Sequence, residues 1–442
     1  MQTAEHFPRR ASPGVVGAVR HSLLWLVLGN AIGVMLAVLL LLPELNRWLG
    51  EWTYGRWLMV HMNTALFGWC SLPLVAFLFR LYAADRNALD AWSRPILWLW
   101  SGALVIGSLS WLSGHSSGKL FLDWSGYARV IFSLALGALW LFLAIAFMLE
   151  LRTAKSPRWT STLARALGLV VLSCIPFAIY VASSPTLYPA VNPDSGGPTG
   201  TSQLESSLGI VLILLVVPCG LTHRKKRDLT TVRLAWTVFV SEVLVCATLG
   251  RADLSHRIPV QFLSLGSLLV WLPLIPVYYN QFQWHAATGR WRRSFLWWWG
   301  VLVVTGWVFF LPGVLDRFKF TDGLVGHSFL AAAGFLSAFV IFVMVQLIGE
   351  EDAWIFNRRW SFYAWSCGVL AYVIIMTAAG WIEGGDATFT IVPGPMRDAF
   401  YLIRLIAGLA MLAGSLEWLV AASSLSTSVP QVKLETSEVM VT

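Results

Sequence analysis

Charge is scarce in this sequence. Asp, Glu, Lys and Arg make up 12% of its 442 residues, while hydrophobic residues make up 57%. A soluble domain carries about 25% charged residues. The shortage, with a mean hydropathy of +0.68, excludes a soluble enzyme, a disordered chain and a nucleic-acid binder, despite a net charge of +8. Cysteine is sparse as well. Cys70, Cys174, Cys219, Cys246 and Cys367 all fall in apolar stretches and form no C-x-x-C pattern. No disulfide framework, thiolate metal site or covalently tethered cofactor is therefore expected. Arg9, Arg10 and Arg20 charge the N-terminal region, but no short apolar run with a cleavage site follows them, so no removable signal peptide is expected.

What the sequence has in abundance is long apolar runs. A membrane span needs about 20 such residues. Runs bounded by charge, Pro or Gly predict an all-α, polytopic bundle of about twelve transmembrane helices. These lie near 22–45, 57–83, 94–113, 129–150, 160–183, 204–222, 231–250, 259–283, 293–315, 324–349, 360–382 and 397–424. A single membrane domain over 22–424 follows, between a cytoplasmic N-terminal segment (1–21) and a flexible cytoplasmic tail (425–442). Lys and Arg set the orientation. With the N-terminus inside, inner segments hold 21 of the 31 basic residues and outer segments nine, with Arg404 inside a span. The bias predicts N-in, C-in, and it explains the net charge by topology. The Pro- and Gly-rich stretch 184–203 reads as an irregular outer loop. Trp297, Trp298 and Trp299 stand near a span end, where indoles favour the membrane interface, with stacking beside a cofactor as the alternative.

Two of the eight histidines stand apart. His6, His21, His223 and His285 read as inner-side residues at headgroup level, and His115 and His256 as outer-loop residues. His61, in Leu58-Met-Val-His61-Met-Asn-Thr64, and His327, in Gly323-Leu-Val-Gly-His327-Ser-Phe329, lie inside apolar runs. An ionisable side chain inside a span is costly and marks a candidate functional site. Both sit a few residues into spans that run from outside to inside. At about 1.5 Å per residue their imidazoles reach a similar depth near the outer face. Two such imidazoles can clamp an iron between them, or they can be unrelated and simply hydrogen-bonded. The small residues Ala331, Ala332, Ala333 and Gly334 leave room for a flat macrocycle or for close helix packing. Arg404, about seven residues into the last span, suits carboxylate recognition, with snorkelling to the outer interface as the alternative. Glu242 and Glu417 are further acids within spans, expected to be mostly neutral without partners.

These segments together resemble the catalytic subunit I of the heme–copper oxidase superfamily, in its C-type oxidase and nitric oxide reductase branch. Val60-His-Met-Asn-Thr-Ala-Leu-Phe-Gly68 is similar to the helix carrying a low-spin heme ligand. Ser116-Ser-Gly-Lys119 with Asp123-Trp124 is similar to an outer loop of that branch. Thr321-Asp-Gly-Leu-Val-Gly-His327 with Gly334-Phe335 resembles the tenth helix, and Ala371-Tyr-Val-Ile-Ile-Met-Thr-Ala-Ala-Gly380 the eleventh. Tyr401-Leu-Ile-Arg404 with Gly408 resembles the twelfth, where the family arginine meets heme propionates. The resemblance spans most of the chain and implies a twelve-helix bundle in three arcs.

The departures matter as much. The family's copper-binding histidine of helix six has no counterpart in 202–222, where Ser206-Ser-Leu-Gly-Ile210 stands. Its His-His pair of helix seven is replaced by Gly250-Arg-Ala-Asp-Leu254. Its second histidine of helix ten is replaced by Phe329. The resemblance therefore implies heme b, one or two, held by His61 and His327 with Arg404 on the propionates, and no copper. His327 matches the high-spin position and His61 the low-spin one. Sharing one iron would need a rotation or bulge, because residues 327 and 329 point about 200° apart on a helix. The expected function is electron transfer within a respiratory complex of the bacterial inner membrane. Other membrane subunits and a periplasmic c-type cytochrome or quinol would be the partners. An active oxidase or nitric oxide reductase using Glu242, Asp253 or His256 at an unusual metal site is one alternative. A cofactor-free structural subunit or transporter is the other.

Overall fold

The structure is a computed structural model and describes residues 11–85, 88–116, 119, 121–154, 159–187, 200–225, 229–249 and 257–425. Twelve long helices follow one another: α1 (Pro13–Leu41), α2 (Tyr54–Leu81), α3 (Leu89–Leu112), α4 (Gly126–Thr153), α5 (Trp159–Ala182), α6 (Gly200–Leu221), α7 (Thr230–Leu249), α8 (Pro259–Tyr279), α9 (Gly289–Phe309), α10 (Asp322–Ile348), α11 (Arg359–Glu383) and α12 (Pro395–Ala422). Eleven are long and apolar enough to cross a membrane; the exception, α9, opens with Arg290, Arg292 and Arg293. No β-strand occurs among the described residues, which contain one isolated bridge between Arg224 and Phe282. The protein is a multi-pass membrane protein built as an all-α bundle.

Each predicted span has its helix, but α1 begins at Pro13, nine residues before the expected start. Arg20 and His21 looked like a boundary in the sequence. The fold satisfies both within the helix. Arg20 donates to the carbonyls of Ala422, Ser423 and Leu425 at the end of α12, and His21 Nδ1 bonds Ser101 Oγ at 2.8 Å. Ser12 caps the helix and Pro13 occupies its first position, a place that needs no N–H. The Arg20 bonds also bring the start of α1 and the end of α12 to one face, as an even number of spans requires. At the opposite face Arg397 of α12 donates to the Leu40 carbonyl of α1 at 3.1 Å.

α10 is the axis. Every residue from Ser337 to Ile348 is buried, so that stretch is enclosed all round and almost wholly apolar, as a central helix is. α1 packs on α12, α12 on α11 and α11 on α10. The N-terminal end of α10 and the C-terminal end of α11 cross closely at Gly380, where a Cβ would stand 2.1 Å from the Gly323 nitrogen. Buried aromatic rings fill the bundle, with Trp69, Trp111, Trp124, Trp271, Trp291 and Trp418 fully enclosed. Trp298 and Trp299 belong to this interior too, and Trp297 alone of the three is exposed. The interfacial reading of Trp298 and Trp299 is thus corrected: they pack inward, with Trp299 Nε1 on the Trp271 carbonyl. All five cysteines are free.

Candidate functional site

α2 carries His61 in its N-terminal, regular part, Tyr54–Asn63, and then widens into a π-helical turn over Thr64–Cys70. Hydroxyls compete for the backbone carbonyls there. Thr64 Oγ1 donates to the Val60 carbonyl at 2.7 Å and Ser71 Oγ to the Leu66 carbonyl at 2.8 Å. Such back-bonding loosens the regular ladder. The His61 ring lies against α1. Its Nδ1 is 2.7 Å from the Gly29 carbonyl, which can only accept, so Nδ1 carries the proton. Nε2 then holds a free lone pair. The ring fits because position 33 is glycine: a Cβ there would stand 2.8 Å from His61 Cε1.

α10 repeats this arrangement. Asp322–Phe329 is regular α-helix, capped by Thr321, and a π-helical turn follows over Leu330–Leu336. Each of the two intramembrane histidines therefore stands three residues before a wide turn, a feature frequent at functional sites. His327 faces α9. Its Nδ1 is 3.4 Å from Thr305 Oγ1, its ring lies 5.2 Å from that of Phe309, and it covers Gly306. Phe329 points to another neighbour and stacks on Tyr372 of α11 at 3.9 Å. The two imidazoles thus lie against different helices, α1 and α9. The rotation that a shared iron would need is missing from 322–329, since the wide turn starts beyond both positions. Ala331 to Gly334 fall within that turn, and Gly334 packs against the Trp298 ring, so there the small residue serves close helix packing.

Arg404 joins His61. Its guanidinium lies 5.2 Å over the Tyr372 ring, with Tyr54, Asp322 and Tyr401 as electrostatic neighbours. It also acts electrostatically on His61. Two buried polar atoms nearby have no hydrogen-bond partner: Trp57 Nε1 and Asp322 Oδ2. Trp57 precedes His61 by four residues and shares its helix face. This donor set fits a flat macrocycle with acidic side chains. It offers an imidazole Nε2 for the metal, and a guanidinium and an unused indole N–H for the carboxylates. Neither the Gly33 contact nor Trp57 was foreseen from the sequence; an aromatic one turn before an intramembrane histidine was the available signal.

The remaining candidates are otherwise engaged. Glu242 accepts from Trp271 Nε1 at 2.5 Å. Glu417 is not partnerless as expected, since Arg358 Nη1 lies 2.9 Å from its Oε1. Asp253 and His256, like His6, most of the 184–203 loop and the tail beyond 425, lie outside the described residues. Among the described residues no group of three or more His, Cys, Asp or Glu is placed to hold a metal ion. An apolar groove of about 180 Å³ between α2, α4 and α5, lined by Leu74, Leu78, Leu139 and Pro176, lies beyond the π turn of α2 and away from His61. Between α3 and α4, Lys119 is buried and donates to the Ala182 and Ser184 carbonyls, while Trp124 stacks on Phe132 at 3.9 Å.

No protein-family profile matches the chain. Among characterised proteins it is similar to a cytochrome c oxidase subunit 1 homolog of Azorhizobium caulinodans, 21% identical over 89% of this chain and 78% of the relative. It is also similar to cytochrome c oxidase subunit 1 of Rhodobacter capsulatus, 21% identical over 93% of this chain and 84% of the relative. The chain is thus similar, along nearly its whole length, to cytochrome c oxidase subunit 1 proteins, and its twelve-helix bundle carries His61, His327 and Arg404 on its second, tenth and twelfth helices.

Proposed function

We propose that this chain is an oxidase-like membrane subunit that binds heme b and passes electrons within a respiratory complex, without itself reducing oxygen. The observation that carries the reading is the His61 imidazole, with Nδ1 committed to the Gly29 carbonyl and Nε2 left free. A backbone acceptor behind a metal-binding histidine fixes its tautomer and raises its basicity. Arg404 and Trp57 supply donors for the acidic side chains of the macrocycle, and the guanidinium lies over the Tyr372 ring. Heme b would supply one-electron redox chemistry; the protein's part is to hold it, orient it and keep water out. His327, on the α9 side, is assigned no share in the same iron. A second heme there is the two-heme form of this reading. Copper is left out because the positions matching the family's copper ligands hold Ser206 to Ile210 and Gly250 to Leu254.

The orientation keeps the N- and C-termini in the cytoplasm and the His61 site near the outer face of the bacterial inner membrane. A periplasmic c-type cytochrome or a quinol would exchange electrons there, beside other membrane subunits. The test is a pyridine hemochrome assay on purified variants. His61→Gln is expected to lose the heme that wild type and Phe329→Leu retain. Full heme content in His61→Gln overturns the assignment.

A further inference from the structure

The two π-helical turns meet inside the bundle. The turn of α2 contacts the turn of α10, and one chain of hydrogen bonds joins them. Trp69 Nε1 donates to Ser337 Oγ at 2.8 Å, and the same hydroxyl donates to the Ala332 carbonyl at 2.8 Å, five residues back. Trp69 and Ser337 are both buried. The Ser337 hydroxyl therefore does two things at once: it closes the wide turn of α10 on itself and ties that turn to α2. A hydroxyl has one proton to give and lone pairs to accept with, and this one uses both functions. The Ala332 carbonyl also accepts from the Ser337 backbone N–H, so the hydroxyl adds a second bond from the same residue to the turn and is the one that reaches α2.

The histidines stand just outside these turns, His61 three residues before one and His327 three residues before the other. Any change in the opening of a wide turn rotates the helix segment that precedes it. We infer that Trp69 and Ser337 are positioning residues, a cross-link that sets the rotation and spacing of the two histidine-bearing helix ends relative to each other. The inference rests on the proposed heme site only for its spectroscopic readout; the geometry it describes belongs to the chain alone.

The test uses the full chain in detergent or nanodiscs. Ser337→Ala removes both bonds, Ser337→Thr keeps a hydroxyl, and Trp140→Phe removes a comparable indole bond, to the Leu169 carbonyl, away from the site. Two readouts are taken: the visible and EPR spectra of bound heme, and the distance distribution between spin labels at Gly55 and Val325 in a background without native cysteines. Ser337→Ala is expected to shift the heme spectrum and broaden the label distances, Ser337→Thr to restore both, and Trp140→Phe to leave both at wild type. Wild-type spectra and distances in Ser337→Ala, or an equal change in Trp140→Phe, overturn the inference. If wild type holds no heme, the proposed function fails while the label distances still decide this one.

Discussion

Gly33→Ala puts the least possible chemistry into the site, one methyl group. Its Cβ would stand 2.8 Å from His61 Cε1, 3.3 Å from Nδ1 and 3.5 Å from Nε2, where carbon contacts settle at about 3.5–4.0 Å. The ring must retreat by several tenths of an ångström, and retreat draws Nδ1 off the Gly29 carbonyl, now at 2.7 Å. Losing that bond costs about 0.5–1.5 kcal/mol, and overpacking a filled interior about 1–3 kcal/mol. The two together span about 1.5–4.5 kcal/mol; a loss of about 2–3 kcal/mol, in the middle of that span, corresponds to roughly 30- to 140-fold weaker heme binding, at about 1.4 kcal/mol per factor of ten. The assay is heme content per chain after purification, with a heme titration of the stripped protein. Gly102→Ala is the control, since a Cβ at Gly102 meets nothing within 4 Å. Full heme content and an unshifted Soret band in Gly33→Ala would refute the reasoning, because His61 could not then be a ligand held against α1.

Arg404→Leu removes the cation shared by Tyr54, Tyr372 and Asp322; heme affinity is expected to fall about tenfold or more, as for loss of one charge-assisted hydrogen bond of about 1.5–3 kcal/mol, read by the same titration. Between α8 and α9, burial is the main cause lowering the His285 pKa, with Glu350 opposing it and Arg80 adding to it. Unfolding then takes up a proton, so this contribution to stability is complete above about pH 6.5 and declines as the pH falls below it. Thermal melts between about pH 5 and 8 are expected to show less acid sensitivity in His285→Gln than in wild type; parallel profiles would remove the assignment.

The spans were legible because each is a long apolar run, and a bilayer imposes that length on any helix that crosses it. The start of α1 was not, because Arg20 and His21 read as the edge of the membrane until their partners, the α12 carbonyls and Ser101, are known. Those partners are distant in sequence. His61, His327 and Arg404 were legible as costly polar groups in apolar surroundings. Their grouping was not: depth along a helix can be counted, but the facing helix cannot, and His61 turns to α1 while His327 turns to α9. The π turns left no trace in composition. They depend on hydroxyls such as Thr64, Ser71 and Ser337 bonding back to their own helix, a choice made against a neighbouring helix. The aromatic neighbour of Arg404, Tyr372, likewise comes from α11 and has no local signature.

Heme and copper stoichiometry of the purified, folded chain tests the central claim most directly. A reduced-minus-oxidised spectrum with a pyridine hemochrome assay and elemental analysis is expected to give heme b at one or two per chain and no copper. A colourless chain, or copper at one per chain, would contradict the account.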